Sequence, residues 1–317
     1  MGSMRTASAK RTTRGARTEG ALRIRGRKIG SGQPWNGGSI CRLFVDFDER
    51  GYAPADLAAA FHLAVDAHER DTALVVAPAG VLRAPFRTTA CAEWDDELVA
   101  SVHKDALHVA TQFRDALGRV AYAVAVGIDV AVAFNGASAV DHCGAQLMAT
   151  IEPNASDITL SWKLVPVNGE WDVLRLPWDV ARDRPARDAV DIAGTFSTLC
   201  SQRVVRLVCF DAYAWATYRR RPTSPLKKAW HNAVRRQLAE AMKSPPHLAI
   251  NLMHIAPRRR GGGFPPGFAQ AWKVLSSRVS GGVVACGGLK TDDPQAFARV
   301  SEWARCDFDH VDVHVSR

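Results

Sequence analysis

The chain has 317 residues, of which 47% are hydrophobic and 23% are charged, and its net charge at pH 7 is +9. This composition fills a large apolar core, which excludes a disordered chain and a coiled coil. No unbroken apolar stretch reaches the roughly 18 residues that a membrane-spanning helix needs, so we expect no transmembrane segment. The start of the chain lacks the apolar core of a secretory signal, which predicts a cytoplasmic protein.

The positive charge is concentrated in two blocks. Residues 1–34 carry a net charge of +8 and residues 219–260 carry +10, so the rest of the chain carries −9. Two interpretations stay open: a solvated tail and helix face, or weak and sequence-independent contact with nucleic acid or an anionic membrane surface. No helix-turn-helix, zinc-finger or RNA-recognition motif accompanies the basic blocks.

The chain reads as a disordered basic tail and linker over residues 1–38, followed by one domain over residues 39–317, with order beginning at Ile40. Hydrophobic periodicity predicts the following elements, in chain order: strand 41–47, helix 56–68, strand 72–78, helix 94–113, a strand within 120–134, strands 143–151, 157–165 and 203–210, helix 227–242, strand 247–254, helix 268–279, and strands 282–286 and 309–315. Helices and apolar strands that alternate without repeats predict an α/β fold.

The cysteines give no sign of a disulfide framework or a metal site. There are seven of them, an odd number without a CxxC pair, and their spacing is irregular. Near the end of the chain, His310, Asp312 and His314 alternate, which fits the solvated face of an edge strand or, less well, a set of metal ligands. We therefore expect neither a metal nor a cofactor.

Three segments carry residues suited to covalent catalysis. An apolar strand runs into the loop that contains Ala79, Lys163 directly follows a strand, and Cys209 ends another strand. Carboxyl ends of adjacent strands converge in open α/β sheets. A lysine beside a thiol lowers the pKa of that thiol and neutralises the oxyanion formed when the thiolate attacks a carbonyl or nitrile. The alternatives are that Cys209 is an inert cysteine of the core and that the side chain of Lys163 extends into solvent. Asp211 either caps the turn after Cys209 or acts in catalysis.

These segments resemble, in order and spacing, the carbon–nitrogen hydrolase (nitrilase) superfamily over roughly residues 40–315. The match comprises a helix and apolar strand ending at Pro78, the lysine in the segment Ser161–Pro166, and the strand–Cys–aromatic–acid pattern of Val208–Asp211. The resemblance implies a four-layer αββα sandwich of two mixed sheets with helices outside. It also implies a small-molecule amide, nitrile or acyl substrate, and a homodimer for which helix Lys227–Met242 is the candidate contact.

Two details are similar to one branch of that superfamily, the apolipoprotein N-acyltransferases. They are the segment from Lys163 to Glu170 and the Gly-Gly-Leu-Lys-Thr turn at Gly287–Thr291. Members of that branch carry a membrane portion with several spans, and we expect none in this chain.

The sequence departs from the family at its general base. The family uses a glutamate, a lysine and a cysteine, but Ala79 follows Pro78 where the glutamate is expected. The resemblance therefore assigns Cys209 as nucleophile, Lys163 to the oxyanion and Glu170 as surrogate carboxylate, with Glu93 or Lys163 alone as alternatives. Two hypotheses follow. Either the protein cleaves or transfers acyl groups through a Cys209 thioester with an incomplete triad, or it is an inactive nitrilase-fold binding module whose basic blocks contact nucleic acid or a membrane surface.

Overall fold

The computed structural model describes residues 22–46, 51–68, 71–89, 96–134, 145–165, 178–179, 184–185, 192–215, 225–255, 266–289 and 296–316. The strands are β1 (Arg23–Gly30), β2 (Ser39–Val45), β3 (Thr72–Val76), β4 (Leu82–Thr89), β5 (Ala123–Phe134), β6 (Ala145–Ile151), β7 (Ile158–Trp162), β8 (Trp178–Asp179), β9 (Arg184–Pro185), β10 (Phe196–Leu199), β11 (Gln202–Val208), β12 (Leu248–Ile255), β13 (Gly282–Gly288) and β14 (His310–Ser316). The longer helices are α1 (Pro54–Asp66), α2 (Asp96–Leu117), α3 (Pro225–Ala241), α4 (Pro266–Ser276) and α5 (Ala296–Trp303). A single α-helical turn covers Ile192–Thr195, and a 3₁₀ helix covers Cys209–Trp215.

Two mixed sheets contain most of the strands. The larger sheet has the order β1-β14-β2-β3-β5-β6-β7, and β4 pairs with β5 outside that path. The smaller sheet has the order β10-β11-β12-β13, in which β11, β12 and β13 are parallel. The short strands β8 and β9 pair with each other.

The two sheets pack face to face, and helices cover their outer faces. Alternation along β2 shows the layering, because Ile40 and Phe44 belong to the core between the sheets whereas Leu43 belongs to the core beneath α1 and α2. On the other side, α3 and α4 bury Trp230 and Trp272 in the core that contains the smaller sheet. The structure thus confirms the α/β class and the four-layer αββα arrangement.

The first strand corrects the predicted start of the ordered chain. Strand β1 pairs antiparallel with β14, so the expectation that order begins at Ile40 is wrong. Most side chains of β1 are exposed, and the strand is held by backbone hydrogen bonds at the edge of the larger sheet. Because few of its side chains are buried, the sequence of β1 shows no hydrophobic periodicity. Residues 1–21, the rest of the predicted tail, lie outside the described residues.

The sequence suggested that strand β14 lies at an edge of the sheet, and this expectation is wrong. The strand lies between β1 and β2, and Asp312 is 1% exposed and binds the guanidinium of Arg42 at 2.7 Å. The pairing with arginine accounts for the carboxylate of Asp312 inside the sheet. Among the residues that the structure describes, no group of three or more His, Cys, Asp or Glu side chains is arranged to hold a metal ion.

Helix α3 turns an apolar side toward its own chain and a basic side outward. Trp230, Val234 and Leu238 are buried, whereas Arg235 and Arg236 are exposed. Its predicted role in pairing two subunits stays a prediction. Within the described part of the chain, no helix is both long enough and apolar enough to cross a membrane.

Candidate active site

Lys163 lies where the sequence placed it, directly after β7. Its backbone N–H donates to the carbonyl of Gln146 on β6 at 2.8 Å, and its Nζ donates to Oε1 of Gln146 at 2.7 Å. Gln146 is buried and Lys163 is half-buried. The ammonium is therefore held at the carboxyl end of β7 and does not extend freely into solvent.

Cys209 is the first residue of the 3₁₀ helix that follows β11. Its φ of +50° lies in the left-handed region, which is sterically unfavourable for a residue with a Cβ. The side chain of Asn251 supports this turn, because its Nδ2 donates to the carbonyl of Cys209 at 3.2 Å, and Nε1 of Trp272 in turn donates to Oδ1 of Asn251 at 3.1 Å. The thiol is free and half-buried. A sharp, strained strand-to-helix turn of this kind presents a nucleophile at the edge of a sheet.

Asp211 joins the lysine segment to the cysteine turn. Its Oδ1 accepts the backbone N–H groups of Leu164 at 2.8 Å and Val165 at 2.6 Å, and its Oδ2 accepts the N–H of Val208 at 2.9 Å. One carboxylate thus binds both the residue after Lys163 and the residue before Cys209. The carboxylate therefore links the segment after β7 of the larger sheet to the turn after β11 of the smaller sheet.

The Asp211 carboxyl is fully buried, and this burial raises its pKa to about 7. Its three backbone hydrogen bonds and the charge of Lys163 act in the opposite direction. The sequence left open whether Asp211 caps a turn or acts in catalysis. The contacts show that it fixes the backbone of two segments.

Ala79 lies in the loop after β3, between the two sheets. Its N–H donates to the carbonyl of Met253 on β12 at 3.1 Å, and Ala79 is 1% exposed. A Cβ at Gly127 of β5 would come 2.2 Å from Cα of Ala79, so the loop packs directly on β5. The loop that contains Ala79 is therefore packed between β5 of the larger sheet and β12 of the smaller one.

Sequence reasoning missed two polar side chains beside this loop, Asp129 of β5 and His254 of β12. Nε2 of His254 lies 2.9 Å from Oδ1 and 3.1 Å from Oδ2 of Asp129, and the side chains are 18% and 3% exposed. The guanidinium of Arg83 lies 3.9 Å from Oδ2. One signal was available, because Asp129 is the only ionisable residue in the strand sequence Ala-Val-Ala-Val-Gly-Ile-Asp-Val-Ala-Val-Ala-Phe.

These residues form one polar row across the larger sheet. Arg83 of β4 is paired with Asp129 of β5, Asp129 is paired with Gln146 of β6, and the backbone of Gln146 binds that of Lys163. Directly paired residues on neighbouring strands present their side chains on the same face. The row therefore leads from the loop after β3 to the lysine.

The other predicted carboxylates are not placed. Glu170, the predicted surrogate base, and Glu93, its alternative, both lie outside the described residues. The assignment of a base to either one remains a prediction.

Neither a protein-family model nor a curated protein sequence matches the chain. Solved structures of nitrilase-superfamily proteins resemble it. A carbon–nitrogen hydrolase from Helicobacter pylori G27 is 10% identical with a TM-score of 0.46, and the match covers 88% of each chain. An amidase from a Nesterenkonia species is 13% identical with a TM-score of 0.40, covering 82% of this chain and 80% of that one.

A third structure is a carbon–nitrogen hydrolase superfamily protein from Xanthomonas campestris, with an arsenic adduct in its active site. It is 12% identical with a TM-score of 0.33, and the match covers 78% of this chain and 75% of that one. Similarity at this level assigns no activity to the chain.

Proposed function

We propose that the protein is a carbon–nitrogen hydrolase or acyltransferase that acts on a small-molecule amide, nitrile or acyl donor through a thioester on Cys209. The observation that carries this proposal is the position of the Asp211 carboxylate. It accepts hydrogen bonds from the backbone N–H of Leu164, the residue after Lys163, and from that of Val208, the residue before Cys209. These bonds link the backbone after Lys163 to the backbone before Cys209, which supports a site in which the ammonium stabilises a thiolate and an oxyanion.

In the proposed reaction, the thiolate of Cys209 adds to the carbonyl carbon and the carbonyl π electrons move to oxygen. The ammonium of Lys163 stabilises that oxyanion. When the carbonyl re-forms, the C–N bond breaks and the amine leaves with a proton, which gives the thioester. Attack by water, or by a second amine, then breaks the C–S bond and returns the thiolate. A nitrile would instead give a thioimidate, which takes up water.

The described cysteines favour a selective test of the nucleophile. Burial raises the pKa of the Cys41 thiol to about 12 and those of Cys200 and Cys306 to about 11, and it also raises that of Cys286. These four thiols are therefore protonated and slow at neutral pH. Cys200 is a matched control for Cys209, because it is also half-buried and also has a φ of +50°.

The test is acylation by p-nitrophenyl acetate at neutral pH, followed by release of p-nitrophenol and by peptide mass spectrometry. We expect the acetyl group on Cys209, no acetylation of Cys209→Ala protein at another cysteine, and an unchanged rate in Cys200→Ala. Lys163→Met should slow acylation about 10²-fold or more, the effect of removing one oxyanion donor. Acetylation spread evenly over the cysteines, or a Lys163→Met rate equal to that of the wild type, would contradict the proposal.

A second candidate function is a catalytically inactive module that binds nucleic acid or an anionic membrane surface, and the absence of a carboxylate at Ala79 favours it. The exposed basic side chains of α3 include Arg235 and Arg236, which offer a surface for phosphate. This candidate predicts salt-dependent binding of single-stranded DNA or of phosphatidylserine vesicles, unchanged in Cys209→Ala and weakened in Arg235→Ala/Arg236→Ala. Binding that does not depend on these arginines would count against it.

A further inference from the structure

The proposed reaction needs a base to take the proton of the Cys209 thiol and later that of water, and Ala79 provides none. We infer that His254 of the smaller sheet is this base and that Asp129 of the larger sheet positions it. The inference rests on the proposed function and adds a catalytic residue to it.

The first support is the place of His254 in the smaller sheet. Val208, which precedes Cys209, is paired with Leu252 on the neighbouring parallel strand β12. His254 lies two residues beyond Leu252, where the pairing of β12 with β13 shifts in register between Met253 and Ile255. The contact of its imidazole with Asp129 of the larger sheet places the ring between the two sheets, at the end of β12 that lies beside the start of the Cys209 turn.

The second support is the contact between this strand and the loop that contains Ala79. The carbonyl of Met253, the residue before His254, accepts the N–H of Ala79 at 3.1 Å. Gly80 has a φ of +70°, and a Cβ there would lie 2.7 Å from Oδ2 of Asp129 and 2.8 Å from Cδ2 of His254. The loop that contains Ala79 and Gly80 thus lies directly against the Asp129–His254 pair.

The third support is the orientation of the imidazole ring. The Asp129 carboxylate accepts a hydrogen bond from Nε2 at 2.9 Å, so the neutral ring carries its proton on Nε2 and its lone pair on Nδ1. A carboxylate that orients a histidine and stabilises its imidazolium is the arrangement that activates nucleophiles in other enzymes.

The proton then follows a balanced path. Nδ1 of His254 takes the proton from the thiol of Cys209, and the thiolate adds to the carbonyl carbon. Nδ1 gives this proton to the leaving amine as the C–N bond breaks. In the second half, Nδ1 takes a proton from the water that attacks the thioester, and it returns that proton to the sulfur as the C–S bond breaks.

The test measures acetylation of Cys209 by p-nitrophenyl acetate in full-length wild type, His254→Ala, His254→Gln and a control, His62→Gln. His62 is an exposed histidine of α1 whose Nε2 lies 3.1 Å from the backbone carbonyl of Leu117. We expect both His254 variants to be about 10²-fold slower or more, and His62→Gln to be unchanged. Added imidazole should restore His254→Ala by at least tenfold and should not affect His254→Gln, whose side chain fills the site.

The outcomes separate the inference from the function on which it rests. Wild type that acetylates Cys209 selectively, with His254 variants that do so equally fast or gain nothing from imidazole, would overturn the inference and leave the proposed function intact. Wild type without selective acetylation would overturn both. Thermal unfolding identifies a variant that fails to fold, and in that case the comparison of Asp129→Asn with Asp129→Glu decides, because a positioning role predicts slower acetylation in the first and partial recovery in the second.

Discussion

The carboxylate of Asp211 accepts a hydrogen bond from the backbone N–H of Leu164 at 2.8 Å, although the two residues are 47 positions apart. The other oxygen of the same group binds Val208. Nε1 of Trp230 on α3 donates to the carbonyl of Leu164 at 2.9 Å, which holds the same segment from the other side. The lysine segment is therefore fixed by two groups that belong to the smaller-sheet side of the molecule.

We expect Asp211→Asn to destabilise the fold. An asparagine accepts hydrogen bonds through only one oxygen, so its amide NH₂ would face a backbone N–H and leave it unsatisfied in a buried place. Such a group costs about 1–3 kcal/mol. Urea unfolding should show this loss in the free energy of unfolding, whereas Asp157→Asn, at an exposed position, should change it by less than about 0.5 kcal/mol. Equal stabilities in the two variants would contradict the role assigned to Asp211.

Asp211 should also give the free energy of unfolding a dependence on pH. Its pKa is about 7 in the folded protein, against an ordinary value of 3.8, so the folded state binds more protons between about pH 4 and pH 7. Stability falls with rising pH wherever the folded state binds more protons. The stabilisation that comes from proton binding by Asp211 is thus present in full below about pH 4 and is lost as the pH rises to about 7. The difference between wild type and Asp211→Asn, measured by urea unfolding across this range, should decrease as the pH rises and then stay constant.

The sequence predicted the elements whose burial repeats with a clear period. Strands β2, β3, β11 and β12 are apolar runs, and α1 places apolar residues three and four apart, so each was found within a few residues of its observed bounds. Strand β4 was missed because it contains Pro85 and two arginines, and β1 because its side chains are exposed. Helix α5 was missed as well, and it has only eight residues.

The site was predictable where a single segment carries the signal. Lys163 and Cys209 each follow an apolar strand that the sequence shows locally, although the two strands, β7 and β11, belong to different sheets. The roles of Asp129, His254 and Asp211 depend on pairs from different segments, since His254 and Asp129 are 125 positions apart. No local pattern encodes such a pair, because it is produced by the packing of one sheet on the other.

Gly80→Ala tests how closely the loop after β3 packs on Asp129 and His254. Gly118 is a matched control, because its φ is also +70° but a Cβ there meets nothing within 4 Å. We expect Gly118→Ala to lower the free energy of unfolding by about 1–2 kcal/mol, because alanine is strained in the left-handed backbone conformation. Gly80→Ala should lose more, because its Cβ also collides with both side chains, and acetylation of Cys209 should slow only in this variant. The measurements are urea unfolding and the p-nitrophenol assay, and equal effects of the two substitutions would contradict the packing.

The ion pair of Arg42 and Asp312 should be the most sensitive polar contact in the core. Both side chains are 1% exposed, and the guanidinium also donates to the carbonyls of Ala285 at 2.9 Å and Ser301 at 3.0 Å. It therefore ties β2 of the larger sheet to β13 of the smaller one and to α5. Breaking a buried pair by removing one partner leaves an uncompensated charge and costs about 3–5 kcal/mol.

We expect Asp312→Leu to lose about this amount, and the double variant Arg42→Met/Asp312→Leu to recover part of it, because an apolar pair leaves no buried charge. The exposed pair of Arg114 and Asp115, at 2.6 Å, is the control, and Asp115→Leu should cost no more than about 1 kcal/mol. The free energies of unfolding in urea check all three variants. A double variant less stable than Asp312→Leu would show that the bonds from Arg42 to the carbonyls, and not its pairing with Asp312, hold the sheets together.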